Sequence, residues 1–443
     1  MRQMRREYCW LCMAVLLTYV ILNLYILLQL EPQCSDTPYH EIGNYVAVEH
    51  KHIKCRDNAK AYLEAKKADK NTLQFMIKPY TIRNQTNNIL MRSASKNSTN
   101  IYEEIFRINS EQKIRNLYRY GLKLDQLSVV MVVQVHDRLE HLRILLDSLR
   151  KVRSIEKTLL IISHDLYSDE LNQLVEEVDF CPVMQIFFPL SIQLHPKSFP
   201  GDDPNDCPRD MRKEEAMKKK CNNAAFPDKY GHYREAKYCQ IKHHWLWKLQ
   251  HVYNKVHVMR GYKGKILLLE EDYYVAPDII HIIQMVQSLR QKDWKDCKEC
   301  KIIALGRYDE HHNFRVNADK VEVANWESSR LNRGIAFNRD LWEEIKMCAK
   351  EFCIFDDYNW DWTLQHLSSK CIPQMKVLQM EATRVFHMGD CGIHQKGKKC
   401  QPEKKKKIIE QLVGNNTDHL FPNTLSISSY ASLPLQDPKP NGG

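Results

Sequence analysis

The chain has 443 residues, of which 43% are apolar and 27% are charged, and its formal net charge is +10 at pH 7. This length and apolar fraction exclude a disordered chain and predict one large or two ordinary domains with a buried core. A positively charged protein can bind nucleic acid. The N-terminal segment, however, predicts that most of this chain lies in a lumenal compartment, which contains no nucleic acid. We therefore expect no nucleic-acid partner.

The N-terminus has the pattern of a membrane anchor. Residues 1–7 carry three arginines, and residues 8–30 follow with 23 positions and no charge. A run of that length can cross a bilayer core of about 30 Å. A cleavable signal peptide is the alternative, although its apolar core is usually shorter. The positive flank predicts a cytosolic tail (1–7), a single-pass type II transmembrane anchor (8–30) and a lumenal remainder.

That orientation places most cysteines in an oxidising compartment. Fifteen are present, and only Cys9 and Cys12 fall in the predicted anchor. Thirteen remain, which is an odd number, so at least one cysteine is free or pairs with another chain. A disulfide between two copies of the chain would make a homodimer possible. Residues 31–121 are polar and read as a stem, within which residues 101–120 favour a helix. Acceptor triplets for N-glycosylation, which fit the same compartment, lie at Asn84, Asn97 and Asn415.

From residue 122 onwards the pattern is that of an α/β domain. Apolar runs at 128–135, 158–163 and 183–188 predict buried strands, and amphipathic segments between them predict helices. Asp137 and Glu140 have the spacing of a helix capping box. Strands that alternate with helices predict a parallel sheet, and ligands of such sheets bind at the carboxyl ends of the strands.

A second set of elements follows a loop-rich segment. Residues 234–252 predict a helix, residues 265–269 a buried strand, and Pro277 the first position of another helix. The last twenty residues predict an extended tail. The chain has only 14 glycines, with neither a G-x-G-x-x-G nor a P-loop motif. A bound nucleotide must therefore be held by side chains and a metal.

The sequence LLLEEDYYV at 267–275 ends a predicted strand in three acids, Glu270, Glu271 and Asp272. Adjacent carboxylates repel one another unless a cation or a proton relieves them. A hard divalent ion such as Mn²⁺ or Mg²⁺ is suited to this role. A solvated acidic loop is the alternative.

Two further clusters can carry chemistry. In FDDYNWDWTL (355–364), carboxylates alternate with aromatic rings, as in sites that bind sugars and accept a hydroxyl proton. The alternative is a helix start capped by Asp357. In RVFHMGDCGIH (384–394), His387 can ligate a metal or be structural. The CKEC sequence at 297–300 lacks the other ligands of a closed zinc site and favours a small disulfide.

Together these motifs resemble the N-acetylglucosaminyltransferase II family. The resemblance rests on VVQVHDR (132–138), GHYREAKYCQIKHHWLWKL (231–249), LLLEED (267–272), DDYNWDWTLQ (356–365) and FHMGDCG (386–392), and covers residues 122–443. It implies a GT-A (Rossmann-like) catalytic domain of a Golgi membrane enzyme. The implied reaction is an inverting, Mn²⁺-dependent transfer of GlcNAc from UDP-GlcNAc. The implied acceptor is the α1,6-arm mannose of an N-glycan on a glycoprotein, whose α1,3 arm already carries GlcNAc.

The resemblance also implies residue roles. Asp272 and His387 would hold the metal, Asp361 would be the general base, and Asn332 would contact the acceptor, as would His312, where an arginine is expected in the family. The implied donor-binding residues are Gln134, Val135, His136, Asp137, Arg138, Asp165, Gln240, Ile241, Lys242, His243 and His244. The implied disulfides are Cys207–Cys221, Cys297–Cys300, Cys348–Cys371 and Cys391–Cys400, which would leave Cys353 without its usual partner.

Three alternatives stay open at this point. A sister β-1,2-GlcNAc-transferase with another mannose acceptor would share the fold and the metal site. A sugar-nucleotide-binding lectin would have lost catalysis, which the presence of both Asp272 and Asp361 argues against. A metal-dependent phosphodiesterase would need more histidine and aspartate ligands than the sequence supplies.

Overall fold

In the computed structural model, the described residues are 90–196, 203–228, 230–292, 300–308, 313–355, 359–372, 375–389 and 401–430, with the side chains of 90–99, 290–292 and 354 excepted. Several predictions lie outside these residues: the cytosolic tail, the anchor, most of the stem, Asn84, Cys297, His312, Cys391 and Cys400. None of the described helices is long and apolar enough to cross a membrane.

The strands and helices are numbered in chain order. The strands are β1 (Ile114–Arg115), β2 (Val129–Val135), β3 (Leu159–His164), β4 (Val183–Phe187), β5 (Lys265–Glu270), β6 (Tyr273–Val275), β7 (Cys300–Ala304), β8 (Lys320–Asn325), β9 (Ile335–Phe337), β10 (Lys376–Met380), β11 (Val385–His387) and β12 (Ser426–Tyr430). The helices are α1 (Leu90–Glu111), α2 (Leu117–Tyr120), α3 (Leu139–Arg150), α4 (Asp169–Glu176), α5 (Lys213–Lys219), α6 (Ala236–Asn254), α7 (Ile279–Lys292), α8 (Phe314–Asn317), α9 (Ser328–Leu331), α10 (Arg339–Met347), α11 (Ala349–Phe355), α12 (Trp360–Lys370) and α13 (Pro402–Gly414).

A mixed ten-stranded sheet organises the described residues, in the order β1-β4-β3-β2-β5-β9-β7-β10-β8-β12. The segment β4-β3-β2-β5 is parallel, as the alternation of strands and helices predicts. Strand β9 is antiparallel to both of its neighbours, β5 and β7. The predicted strands β2, β3, β4 and β5 and the helix α6 are confirmed to within about two residues.

Helices cover both faces of the sheet, which explains why its central strands are apolar without alternation. In β2, Met131 and Val133 join the core beneath α3 and α7. Val130 and Val132 join the opposite core beneath α6 and α12. Each of these four side chains is fully buried. The large parallel segment is therefore a rigid platform, and its strand ends are fixed from both sides.

Three local predictions are wrong in detail. Asp137 does not cap α3, because the helix begins one residue later, with Arg138 at the cap position and no side-chain cap. Helix α7 begins at Ile279 rather than at Pro277, since Pro277 and Asp278 form a turn first. The predicted C-terminal tail includes a strand, β12, which pairs in parallel with β8.

Helix α1 packs on the sheet edge. The helix predicted for residues 101–120 is confirmed up to Glu111, after which the chain forms β1 and the short helix α2. Ile105 is buried against the domain. The Asn109 amide donates to the Phe187 carbonyl at 2.7 Å and accepts from the Phe187 N–H at 2.8 Å. The Gln112 side chain bonds to the backbone of Lys255 and His257. The predicted domain boundary at residue 122 stays a prediction.

A two-stranded antiparallel ladder, β6 with β11, lies beside the end of the main sheet. It places His387 opposite Tyr273. Just before β11, Arg384 is fully buried and donates through Nε to both carboxylate oxygens of Asp278, at 3.0 and 2.9 Å. Its remaining guanidinium nitrogens donate to the carbonyls of Ala382 and Ala318. This paired charge fixes the segment that carries His387.

Candidate active site

Three neighbouring strands end together, and their polar residues meet there. Gln134 of β2 lies opposite Ser163 of β3 and Glu270 of β5. Parallel strands share one carboxyl edge, so the register alone unites these three predicted strand ends. The sequence could predict this edge because each apolar run gains a polar residue close to its carboxyl end.

Glu271 holds the loop that follows β2. Its Oε2 accepts from the backbone N–H of His136 at 2.8 Å and of Arg138 at 3.4 Å. Its own N–H donates to the Gln134 carbonyl at 3.0 Å. Burial raises the pKa of Glu271 to about 7, although the N–H of His136 and the charge of Arg138 oppose that rise. Glu271, the middle acid of the turn, therefore fixes the backbone of the loop after β2.

Asp272 is the charged centre of the turn. Its Oδ2 lies 2.5 Å from Nη1 of Arg138 and 3.1 Å from Nε2 of His387. Burial disfavours the ionised carboxylate, but His387 and Arg138 outweigh burial and hold the pKa of Asp272 well below its usual range. The structure thus brings together two predicted metal ligands, His387 at the end of β11 and Asp272 in the turn after β5.

The surroundings of Asp272 fit a divalent ion. Its Oδ1 is buried and accepts no hydrogen bond from the residues that the structure describes. A Cβ at Gly389 would lie 2.7 Å from Asp272 Oδ2 and 2.9 Å from His387 Nε2, so only glycine leaves this space open. A carboxylate and an imidazole are suitable ligands for Mn²⁺. Within the described ranges no cluster of three or more metal-binding side chains occurs, so a bound ion would also need oxygens from a ligand or water.

Glu270 connects the acidic turn with the rest of the site. Burial raises the pKa of its carboxyl group, and the negative charges of Asp272 and Asp361 raise it further. Lys248 of α6 opposes the rise, and burial in turn lowers the pKa of Lys248. The buried Lys248 ammonium donates to Gln134 Oε1 at 2.7 Å. Lys248 was not predicted as a site residue, because nothing in the sequence marks it except its position four residues after His244.

A second polar chain lies at the end of β3. Asp165 Oδ1 is 2.6 Å from Nδ1 of His136, and its Oδ2 is 3.5 Å from Nδ1 of His244. The other ring nitrogen of His244 is 2.7 Å from the Ser163 hydroxyl. Burial lowers the pKa of His136, but the hydrogen bond and charge of Asp165 raise it to about 9, so this side chain is a cation near neutral pH.

The predicted residues of α6 divide between two environments. The Ile241 carbonyl accepts from Gln134 Nε2 at 3.3 Å, which joins the helix to the strand ends. Gln240 is buried and accepts from the Ile192 N–H at 2.6 Å. Lys242 is also buried, but its ammonium donates to the Phe352 carbonyl, so it points away from the acidic turn. His243 is half-buried. Gln240 and His244 are thus enclosed rather than on an open face.

Asp361 lies in the first turn of α12 and is almost fully buried. Its Oδ2 accepts from the Ser328 hydroxyl at 2.5 Å and from the Asn332 amide at 2.6 Å. Burial raises the pKa of Asp361, while the two hydrogen bonds oppose that rise. The amide oxygen of Asn332 is buried and unpaired. No sequence motif indicated Ser328.

Trp360, the aromatic residue directly before Asp361, is part of the core. Trp360 is buried and stacks on Trp245 of α6, with ring centroids 4.9 Å apart. The predicted cap Asp357 and its neighbours 356–358 lie outside the described residues, and Asn359 is at the cap position of α12 without a side-chain cap. The core alternative therefore holds for Trp360.

Two predicted disulfides are confirmed, Cys207–Cys221 and Cys348–Cys371. Cys300 also takes part in a disulfide. Cys181 is a buried thiol, and burial raises its pKa to about 12. Asn415, a predicted glycosylation site, is exposed at the end of α13.

Comparison with known proteins adds an independent finding. The family model described as N-acetylglucosaminyltransferase II (MGAT2) matches residues 102–443. The chain is 48% identical over 340 residues to the α-1,6-mannosyl-glycoprotein 2-β-N-acetylglucosaminyltransferase of Sus scrofa, covering 76% of this chain and 75% of the relative. The Homo sapiens enzyme of that name is 48% identical over 341 residues, with the same coverage. An Arabidopsis thaliana relative is 37% identical, covering 60% of this chain and 59% of its own.

Proposed function

The chain belongs to the N-acetylglucosaminyltransferase II (MGAT2) family, and from that premise we propose how its residues divide the reaction. It is a glycosyltransferase that adds GlcNAc in β-1,2 linkage to an α-1,6-linked mannose of an N-glycan, the reaction named for its relatives. The donor is UDP-GlcNAc, and the acceptor carries GlcNAc on its other arm.

The mixed sheet with its cluster of strand ends would be the donor half of a GT-A fold. Asp272 and His387 would hold Mn²⁺, or Mg²⁺ in its place, where Asp272 Oδ1 is unpaired. When bound, the ion would stabilise the negative charge that develops on the departing diphosphate. The positively charged His136 and Arg138, on the loop held by Glu271, would attract the same diphosphate.

Asp361 would act on the acceptor as the general base. The mannose 2-hydroxyl loses its proton to this carboxylate while its oxygen bonds to the anomeric carbon of GlcNAc. The bond between that carbon and the phosphate oxygen breaks on the opposite face, and the electron pair leaves with UDP. The unpaired Asn332 Oδ1, next to Asp361, can accept a hydrogen bond from another acceptor hydroxyl.

The observation that carries this division of roles is the contrast between the partners of two buried aspartates: Asp272 faces Arg138 and His387, whereas Asp361 accepts hydrogen bonds from Ser328 and Asn332. Asp272 is held ionised by cations, as a metal ligand must be. The pKa of Asp361 is raised by burial, as suits a group that receives a proton. The negative charges of Asp272 and Asp361 both raise the pKa of Glu270, which supports the view that the two aspartates belong to one site.

A Golgi location, a type II anchor at residues 8–30 and glycosylation at Asn97 and Asn415 belong to this proposal. They are supported by the uncharged N-terminal run and the disulfides of the catalytic region. A second copy of the chain as a partner rests only on the odd cysteine count.

The test is transfer from UDP-GlcNAc, with and without Mn²⁺, to N-glycans that differ only in GlcNAc on the α1,3 arm. We expect β-1,2-linked product on the α1,6 arm, only with metal and only when the α1,3 arm carries GlcNAc. Transfer to another mannose would favour a sister enzyme. Nucleotide binding without transfer to any mannose would favour a lectin.

A further inference from the structure

Ser328 and Asp361 form a buried polar contact between two helices. Ser328 is fully buried at the start of α9, and its hydroxyl donates to Asp361 Oδ2 at 2.5 Å. Its backbone N–H donates to the Gln365 side chain of α12 at 2.9 Å. The indole of Trp326 also donates to the Asp361 carbonyl at 3.2 Å. The segment around Ser328 therefore holds the first two turns of α12 through three hydrogen bonds.

The Asp361 carboxylate is held by several donors. The Ser328 hydroxyl and the Asn332 amide both donate to Oδ2, and the backbone N–H groups of Asp361 and Trp362 also donate to this carboxylate. Such hydrogen bonds fix the orientation of a carboxylate and favour its ionised form.

We propose that Ser328 is a positioning residue for the transfer reaction: together with Asn332 it holds Oδ2 of Asp361, so that this carboxylate is oriented to take the hydroxyl proton of the acceptor. The inference rests on the proposed role of Asp361. Asn332 contributes one donor while its other atom is available to the acceptor. The Ser328 hydroxyl bonds to Asp361 and its N–H bonds to Gln365, so we assign it the role of holding the base in place.

Charge around Asp361 comes from neighbouring elements. Glu270 at the end of β5 and Tyr308 after β7 face it, and both pKa values are raised chiefly by burial. The base must be ionised to act, so activity is present above its pKa and is lost as pH falls through it. The hydrogen bond from Ser328 favours the ionised form, and its removal moves this loss to higher pH.

The experiment is the pH profile of kcat for Ser328→Ala. We expect kcat above the acidic limb to fall about tenfold because the base is less well placed. We expect the acidic limb to move up by about one to two pH units, since a hydrogen bond to a charged group is lost. The KM for UDP-GlcNAc should not change. Ser328→Thr keeps a hydroxyl and should keep the wild-type limb.

Ser329→Ala is the matched control, because the neighbouring hydroxyl bonds to Glu327 and not to Asp361. It should behave as wild type. If Ser328→Ala does not fold, Ser328→Cys, a weaker donor of similar size, should show a limb above that of Ser328→Thr.

The outcomes separate the two proposals. An unmoved limb in Ser328→Ala, or equal limbs in the Cys and Thr variants, overturns the role of Ser328 while the enzyme remains active. A wild type that transfers no GlcNAc, or an Asp361→Asn variant with wild-type kcat, overturns the proposed function instead. A shifted limb that Ser328→Thr restores supports both.

Discussion

The acidic turn and the pocket around Asp361 each contain a buried carboxylate, but the groups that contact the two carboxylates differ in charge. At the turn, Asp272 is surrounded by ionic partners, Arg138 and His387. At the start of α12, Asp361 accepts hydrogen bonds from neutral donors, among them Ser328 and Asn332. Cations keep the first carboxylate charged, whereas the second lies in a less polar pocket where burial favours its protonated form. Buried carboxylates with opposite pKa shifts mark different chemical roles.

The largest effect is expected from Asp361→Asn. The amide keeps the shape of the carboxylate but cannot accept the acceptor proton, so kcat should fall by about 10²–10⁴-fold. Binding of UDP and Mn²⁺ should be unchanged, since Asp361 lies outside the acidic turn. Steady-state transfer and calorimetric UDP titration measure the two quantities. Asp340→Asn, in the first turn of α10 but exposed, is the control. Near-normal turnover by Asp361→Asn excludes this residue as the base.

A smaller loss is expected from Asp272→Asn, because a neutral amide is a weaker ligand for a divalent ion. We expect kcat/KM to fall by about 10²-fold, in line with the several kcal/mol a Lewis acid can contribute. UDP affinity should fall only when Mn²⁺ is present. Titrations of UDP with and without Mn²⁺ test this, with the surface variant Asp147→Asn as control. If Mn²⁺ leaves the UDP affinity of the wild type unchanged, the metal assignment is wrong.

The smallest effect concerns Arg138, which occupies the same oxygen of Asp272 that faces His387. A metal ion must compete with this guanidinium. Arg138→Met should therefore bind Mn²⁺ about tenfold more tightly in the absence of nucleotide, the equivalent of about 1.4 kcal/mol. Calorimetric Mn²⁺ titration of the free enzyme measures it. Arg143→Met, exposed on the same helix α3, should match wild type. Weaker Mn²⁺ binding by Arg138→Met would contradict the competition.

The two regions also differ in how far sequence could predict them. The strand ends of β2, β3 and β5 were predictable, because apolar runs that stop at polar residues give both the strand and its edge. The contact between Asp272 and His387 was not, since it depends on the pairing of β6 with β11 across more than a hundred residues. Only the family resemblance joined them. Ser328 had no local signal, because a serine at a helix start is common and its partner lies on another helix.

Burial of the polar residues of α6 was also missed. Apolar periodicity indicates only the apolar stripe of a helix, yet Gln240, His244 and Lys248 are buried as well. The carboxyl ends of three strands carry polar groups, so this face of the helix is buried against partners that accept or donate hydrogen bonds. A hydrophobicity pattern cannot detect a buried face that is polar.

The Asn109 amide, which bonds to Phe187 as a neighbouring strand would, bears on how the protein can be produced. A recombinant chain that starts at residue 122 would lack both α1 and β1, the two elements that cover β4. The freed N–H and C=O groups of β4 would then be open to strand pairing between molecules, a common route to aggregation. Expression that begins ahead of α1 keeps this edge closed.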